Sequence, residues 1–116
     1  MLDRSSLLRE LKEQFPELTP LINVEQGLLV FEVEAFYKYT QSLINDGHVE
    51  KVKLCFSIAN KYLINGNQKV RSAIATSYAE CLDFNDTKKL NRSWAWELYP
   101  KPLKKEYAIV RGELGI

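Results

Sequence analysis

The chain has 116 residues, of which 46% are hydrophobic and 27% are charged, and its net charge is +1. These values are typical of one globular domain, here residues 1–116, and they argue against a nucleic-acid binder that works through bulk positive charge. The N-terminus lacks a continuous apolar run, and no apolar stretch approaches the roughly eighteen residues of a membrane span. We therefore expect no signal peptide, no membrane span and a cytoplasmic location.

Charge is distributed unevenly along the chain. Residues 1–58 carry nine acidic and six basic side chains, a net charge of −3, whereas residues 59–116 carry a net charge of +4. Such asymmetry is typical either of a polar binding face or of a solvated surface that happens to be uneven. Both interpretations stay open at this point.

An amphipathic pattern predicts a first helix within residues 3–15, which Asp3 or Ser5 can cap. Pro16 stops or bends this helix. The segment that follows, residues 16–27, predicts a connector with one short helical turn. The apolar stripe of the first helix consists of Leu7, Leu8, Leu11 and Phe15.

The sequence Leu-Ile-Asn followed by a glycine within two residues occurs twice in the chain, ending at Gly47 and Gly66. A glycine in the left-handed conformation lets the last carbonyls of a helix find partners, so both glycines are predicted to end helices in the same way. Turns near 46, 66 and 86 then recur at a period of twenty residues. The predicted helices run from about Glu32 to Asn45, over residues 48–64 and over residues 68–84.

Short turns force neighbouring helices to pack antiparallel. The sequence therefore predicts an all-α protein, either an antiparallel helical bundle or a short HEAT-like alpha-solenoid, with about five to six helices. The tail adds a helix from about Thr87 to Leu98 and a final helix from Pro102, with Gly112 near its end.

No catalytic or metal-binding signature emerges from the sequence. His48 is the only histidine and is expected in an exposed turn, where neither a general base nor a metal site is formed. Cys55 and Cys81 fall on apolar helix faces and are expected to be buried, reduced thiols. We accordingly predict no enzyme activity, no metal and no cofactor.

A basic turn keeps a second functional class open. Lys61, Lys69 and Arg71 surround the predicted turn near 66, as in a helix-turn-helix protein. The following helix offers few side chains that read bases, and the net charge is nearly neutral, so nucleic acid is an unlikely partner. A helical adaptor or DNA-binding regulator remains the alternative function.

The stretch "FYKYTQSLINDGHVEKVKLCFSIANKYLINGNQKVRSAIATSYAECL", residues 36–82, resembles helical immunity proteins of contact-dependent inhibition and related polymorphic toxin systems. The resemblance lies in the layout: a helix ending in Asn-Asp-Gly, a helix with an aromatic centre, and a Val-Arg-x-Ala-Ile-Ala helix. It implies a protein that neutralises one cognate secreted toxin, usually a nuclease, by binding it, with no small-molecule substrate.

An inhibitor of a basic nuclease is expected to offer acidic side chains and aromatic anchors. Trp94 and Trp96 lie two residues apart, so on a helix they cannot both face one narrow core. Either one is exposed for binding, or the C-terminal segment buries both. The predicted partner-binding residues are Glu32, Glu34, Asp46, Glu50, Glu80, Asp83, Asp86, Trp94, Trp96 and Tyr99.

Overall fold

Seven α-helices make up the fold in the computed structural model, which describes residues 2–25 and 27–110. Within those residues the only β-type pairing is an isolated bridge between Leu2 and Gly66. The helices are α1 (Arg4–Gln14), α2 (Thr19–Asn23), α3 (Leu29–Asn45), α4 (Val49–Asn65), α5 (Gln68–Ile74), α6 (Ser93–Leu98) and α7 (Lys101–Val110).

The predicted all-α class is confirmed, and the helices form a compact bundle. The radius of gyration is 13.6 Å, close to the roughly 13 Å of a compact domain of this size. The count of helices exceeds the predicted five to six because the segment predicted as a connector contains a 3₁₀ turn, Pro16–Leu18, and helix α2. Helix α3 also begins at Leu29, one turn before the predicted start.

The first helix begins and buries its stripe as predicted. A carboxylate oxygen of Asp3 accepts a hydrogen bond from the Ser6 backbone N–H at 2.9 Å, which caps α1. The three leucines of its stripe and Phe15 are buried in one core with the inward faces of α3, α4 and α5. Helix α4 buries one broad face, formed by Val52, Cys55, Phe56, Ile58, Ala59 and Tyr62.

The turn between α3 and α4 is a Schellman motif. Gly47 has φ of 75°, its N–H donates to the Ile44 carbonyl at 3.1 Å, and the His48 N–H donates to the Leu43 carbonyl at 2.9 Å. This confirms the role predicted for Gly47. His48 is exposed at the start of α4.

The prediction that Gly66 ends α4 in the same way is wrong. Gly66 has an extended backbone, with φ of −72° and ψ of 162°. A Cβ there would overlap the Tyr62 carbonyl oxygen and lie 2.9 Å from Val70 Cγ1. Its neighbour Asn67 donates its backbone N–H to the Leu2 carbonyl at 2.8 Å. Glycine is needed here because the backbones approach closely, not because of a left-handed turn.

The third long helix is shorter than the predicted 68–84. After α5 the chain makes one π-helical segment, Ala75–Ala79, and residues 82–92 have no regular structure. Side chains satisfy the backbone of this segment: Asp83 accepts from the Asn85 N–H, and Asp86 accepts from the N–H groups of Arg92 and Ser93. These local bonds compete with helix formation. The helix predicted from Thr87 therefore begins only at Ser93.

Two further findings concern the C-terminal residues and the search for a helix that could span a membrane. The predicted position of Gly112 near the end of the last helix lies outside the described residues. Among the helices described, none combines the length and the apolar character that crossing a membrane requires.

Replacing Gly66 with alanine should destabilise the fold more than the same change at Gly47. The added Cβ at Gly66 meets backbone, and such overpacking costs about 3 kcal/mol. At Gly47 it meets nothing within 4 Å, so only the left-handed backbone cost of about 1 kcal/mol remains. Urea unfolding of both variants measures the difference. An equal or larger loss of stability in Gly47→Ala would contradict this account of the two turns.

Candidate functional site

Five large apolar side chains lie exposed beside one another where α2 leads into α3. They form a surface that we name the apolar ridge: Leu21 (50% exposed), Val24 (68%), Leu28 (56%), Val30 (48%) and Phe31 (47%). Single exposed apolar residues are ordinary, but a group of this kind typically marks a site of interaction.

The ridge arises because the start of α3 carries more apolar residues than its inner face can bury. The buried stripe of the helix continues through Val33, Phe36 and Thr40. On a helix with about 100° between residues, Phe31 then points away from that stripe and Val30 lies at its edge. The ridge was missed in the sequence analysis. The available signal was the run Leu28-Leu29-Val30-Phe31, which is too long for one helix face.

A groove on one side of Phe31, which we name groove 1, lies between α2 and α3 and has a volume of about 590 Å³. Leu21 and Val24 form its α2 wall. The half-buried carboxylates of Glu25 and Glu34 lie on the groove, and neither has a hydrogen bond or ion pair within the described residues. Lys38 adds one positive charge. Groove 1 is thus apolar with unpaired acidic groups at its rim.

A second groove, which we name groove 2, lies on the other side of Phe31, between the start of α3 and α5. Its volume is about 960 Å³. Leu28, Val30 and Phe31 form one wall, and the α5 side offers the small side chains Ser72 and Ala73 with Lys69 at the rim. Phe31 therefore divides an acidic groove from an almost wholly apolar groove that carries one cation.

Glu32, predicted as a partner contact, lies beneath the ridge rather than on it. Its residue is 2% exposed, and its carboxylate accepts two hydrogen bonds from the Arg4 guanidinium, at 2.8 and 2.7 Å. This hydrogen bonding raises the pKa of Arg4. The placement of Glu32 on a binding surface is therefore wrong, because a partner residue 28 positions away in sequence holds it inside.

The other acidic residues predicted as contacts, except Glu34, lie at the far end of α3. Asp46 and Glu50 are exposed near the α3–α4 turn. Asp83 and Asp86 are close to that turn, because Arg92 bonds both Asn45 and Asp83. The turns near 46 and 86 therefore lie at the same end of the bundle. Helix geometry places this end about 20 Å from Phe31 along α3, so these acids and the ridge are separate surfaces.

Two of these acidic residues at the far end of α3 accept hydrogen bonds that stabilise the fold. Asp83 accepts from Arg92 Nη1 at 2.9 Å, and Asp86 caps the start of α6. Glu80 is half-buried. Of the predicted acidic residues, Glu34 is thus the one that the structure brings to the ridge.

The predicted aromatic residues belong to a cluster of rings at the C-terminal end of the core. Tyr99 is 3% exposed, and its hydroxyl donates to the Ala79 carbonyl at 2.7 Å, so its prediction as a surface contact is wrong. Trp96 packs against Phe84 with ring centroids 5.2 Å apart, and Lys104 lies over its ring. Trp94 and Trp96 are both half-buried, so the structure matches neither predicted alternative, one ring exposed or both rings buried.

The groups with potential reactivity have unremarkable settings. Cys55 is buried, and burial raises its pKa to about 12; Cys81 is less buried than predicted. In the part of the chain that the structure describes, no group of three or more His, Cys, Asp or Glu side chains is placed to hold a metal ion.

Of the three cations in the helix-turn-helix alternative, Lys61 is engaged within the fold. Its Nζ lies 2.7 Å from a carboxylate oxygen of Glu10. Lys69 and Arg71 are exposed on α5. The turn between them and Lys61 pairs with Leu2 at the other end of the described chain.

Comparison with known proteins yields one family. A family model described as a domain of unknown function (DUF7674) matches residues 8–111. No curated protein and no solved structure matches the chain.

Replacing Arg4 with alanine should lower the free energy of unfolding by about 2–3 kcal/mol, because it leaves the buried Glu32 carboxylate without its partner. Adding Glu32→Gln should recover part of this loss, giving a coupling of about 1–2 kcal/mol in a double-mutant cycle. The matched control is Lys53→Ala, which removes an exposed ion pair with Glu50 and should cost under about 0.5 kcal/mol. Additive effects of the Arg4 and Glu32 changes in urea unfolding would refute the pairing.

Stability should fall as the pH rises from 9 towards 12, partly through Cys55. Its pKa is raised in the folded state from 9.0 to about 12, so above pH 9 the unfolded chain loses the proton first and is favoured. The contribution is complete below pH 9 and is lost as the pH approaches 12. Urea unfolding at pH 8 and pH 10.5 should show a smaller drop for Cys55→Ala than for the wild type, by on the order of 1 kcal/mol. Equal drops would contradict the assignment.

Proposed function

The chain belongs to the DUF7674 family, whose description assigns no function, and we propose that it works by binding another protein at the apolar ridge. The single observation that carries this proposal is the exposed Phe31, flanked by two grooves and by the unpaired carboxylates of groove 1. Exposed aromatic side chains that line apolar grooves often act as anchors of protein–protein contacts.

The charges beside the ridge define the partner further. Glu25 and Glu34 are half-buried and form no ion pair within the described residues, and Lys38 on the same groove offsets only one of the two negative charges. A partner that placed an arginine or lysine in groove 1 would neutralise them, and complementary charges of this kind accelerate association. The partner is thus a protein whose contact surface combines apolar side chains with basic ones.

Within this class, we favour an immunity protein that neutralises a cognate secreted toxin. The resemblance in helix layout supports this assignment, and the acidic groove suits a toxin with a basic, nucleic-acid-binding surface. The inhibitor would act without catalysis, by covering the active site or the substrate surface of the toxin. Residues that anchor the complex then govern its lifetime, while the acidic rim governs its rate of formation.

Protection against a toxin tests the proposal. Expression of the toxin encoded beside this protein should arrest growth, and co-expression of the wild-type protein should restore it. Phe31→Glu should abolish protection, since it places a charge at the centre of the contact. Ile109→Glu is the matched control, because Ile109 is equally exposed (51%) but lies on α7. Full protection by Phe31→Glu, or growth arrest that the wild type does not relieve, would refute the proposal.

Binding measurements separate the two parts of the surface. Phe31→Ala should raise the dissociation constant by about 30-fold or more, mainly through faster dissociation. Glu34→Lys should mainly slow association, and the effect should shrink as salt is raised. A loss of affinity in Glu34→Lys that is independent of salt would contradict the role given to groove 1.

A further inference from the structure

The face that carries the apolar ridge presents its features in a fixed order. Glu25 and Glu34 lie on groove 1, Phe31 divides the two grooves, and Lys69 lies on groove 2 beside α5. Beyond α5, Arg71 lines a shallow depression that shares Ser72 with groove 2. Lys38 also lies on groove 1, and Glu106 lies beside Arg71 in the depression, so each side keeps a net excess of one charge. The order across the face is therefore net acidic, apolar ridge, apolar groove and net basic.

This order is complementary to itself under a two-fold rotation. An axis that lies in the contact plane, between the ridge and groove 2, places each ridge over the groove 2 of the other copy. The same rotation brings the acidic side of each copy over the basic side of the other. An isologous dimer requires this self-complementarity of a single patch. Convex and concave strips flanked by opposite charges satisfy that requirement in both shape and charge.

We infer that a second copy of this chain occupies the ridge, in a two-fold dimer that seats each Phe31 in groove 2 of the other copy. The small side chains of Ser72 and Ala73 leave room for the aromatic ring. Glu34 of one copy faces Lys69 of the other, so two intermolecular charge pairs flank the apolar contact. The dimer uses the surface that the proposed function gives to a partner, but its formation does not depend on that partner.

The size of the face permits a weak contact of this kind. Three helices border it, at spacings of about 8–10 Å, and the part of α3 that lines the two grooves, from Leu29 to Ser42, is about 20 Å long. The footprint is on the order of 400 Å² before side-chain relief is added, against about 800 Å² per partner in a stable interface. The dimer is therefore expected at the weak end of such interfaces, with monomer and dimer exchanging at micromolar concentrations.

Sedimentation of the purified full chain at low salt tests the dimer. The wild type should change from monomer to dimer between about 1 and 100 μM. Phe31→Glu should remain monomeric throughout that range, with helical content and unfolding temperature checked to show that it is folded. Ile109→Glu should dimerise as the wild type does. A monomeric wild type at all these concentrations, or a dimer that Phe31→Glu leaves intact, overturns the inference.

Charge reversal tests the arrangement within the dimer. Glu34→Lys and Lys69→Glu should each weaken dimerisation by at least about tenfold, because each places like charges opposite one another twice. The double variant restores opposite charges across the axis and should dimerise within about threefold of the wild type. Failure of the double variant to recover overturns the proposed arrangement. Toxin protection is measured separately, so failure of the dimer and failure of the proposed function give different results.

Discussion

The packing of Phe36 against Tyr78 is the contact on which the exposed surface depends. Their rings stack with centroids 4.6 Å apart, the Tyr78 hydroxyl bonds Thr40 Oγ1 at 3.0 Å, and Thr40 bonds the Phe36 carbonyl at 2.9 Å. All three residues are fully buried. This contact joins the middle of α3 to the π-helical segment after α5. It holds the two helices side by side, so that groove 2 lies between their N-terminal parts.

A second tie supports the ridge from below. The ion pair of Arg4 and Glu32 joins α1 to the first turn of α3, one residue after Phe31. The carboxylate of this ion pair is buried, whereas the Arg4 side chain is 41% exposed, and the pair compensates the buried charge of Glu32. Its effect here is to fix the direction of the α3 helix face, so that Glu32 points inward and Phe31 outward. The ridge thus lies on regular helices with firm support, which favours a preformed binding surface.

If the apolar ridge binds either a second copy or a partner protein, the exposure of its apolar residues on the monomer is explained. A large unpartnered apolar ridge promotes non-specific association, and a weak self-contact would cover it until a tighter partner arrives. Competition between a dimer and a partner complex would then couple the amount of free monomer to partner availability. Such coupling is a mass-action effect and needs no conformational change.

The sequence by itself determined the features that depend on neighbouring residues. The buried stripe of α1, the cap at Asp3, the Gly47 turn and the class of the fold follow from helical spacing and local chemistry. The tertiary structure decided which polar residues are buried and which apolar ones are exposed. Glu32 and Tyr99 are buried because they form hydrogen bonds with Arg4 and with the Ala79 carbonyl. These partners lie 28 and 20 residues away in sequence.

The same distinction explains the two glycines and the ridge. Gly66 looks like Gly47 in sequence, yet its backbone is extended and forms a bridge with Leu2, which is distant in sequence. The run from Leu28 to Phe31 indicates more apolar residues than one helix face can bury. It does not indicate which neighbouring helix covers each of them. Local pattern fixes the period of burial along a helix, whereas the direction of its faces depends on contacts between distant segments.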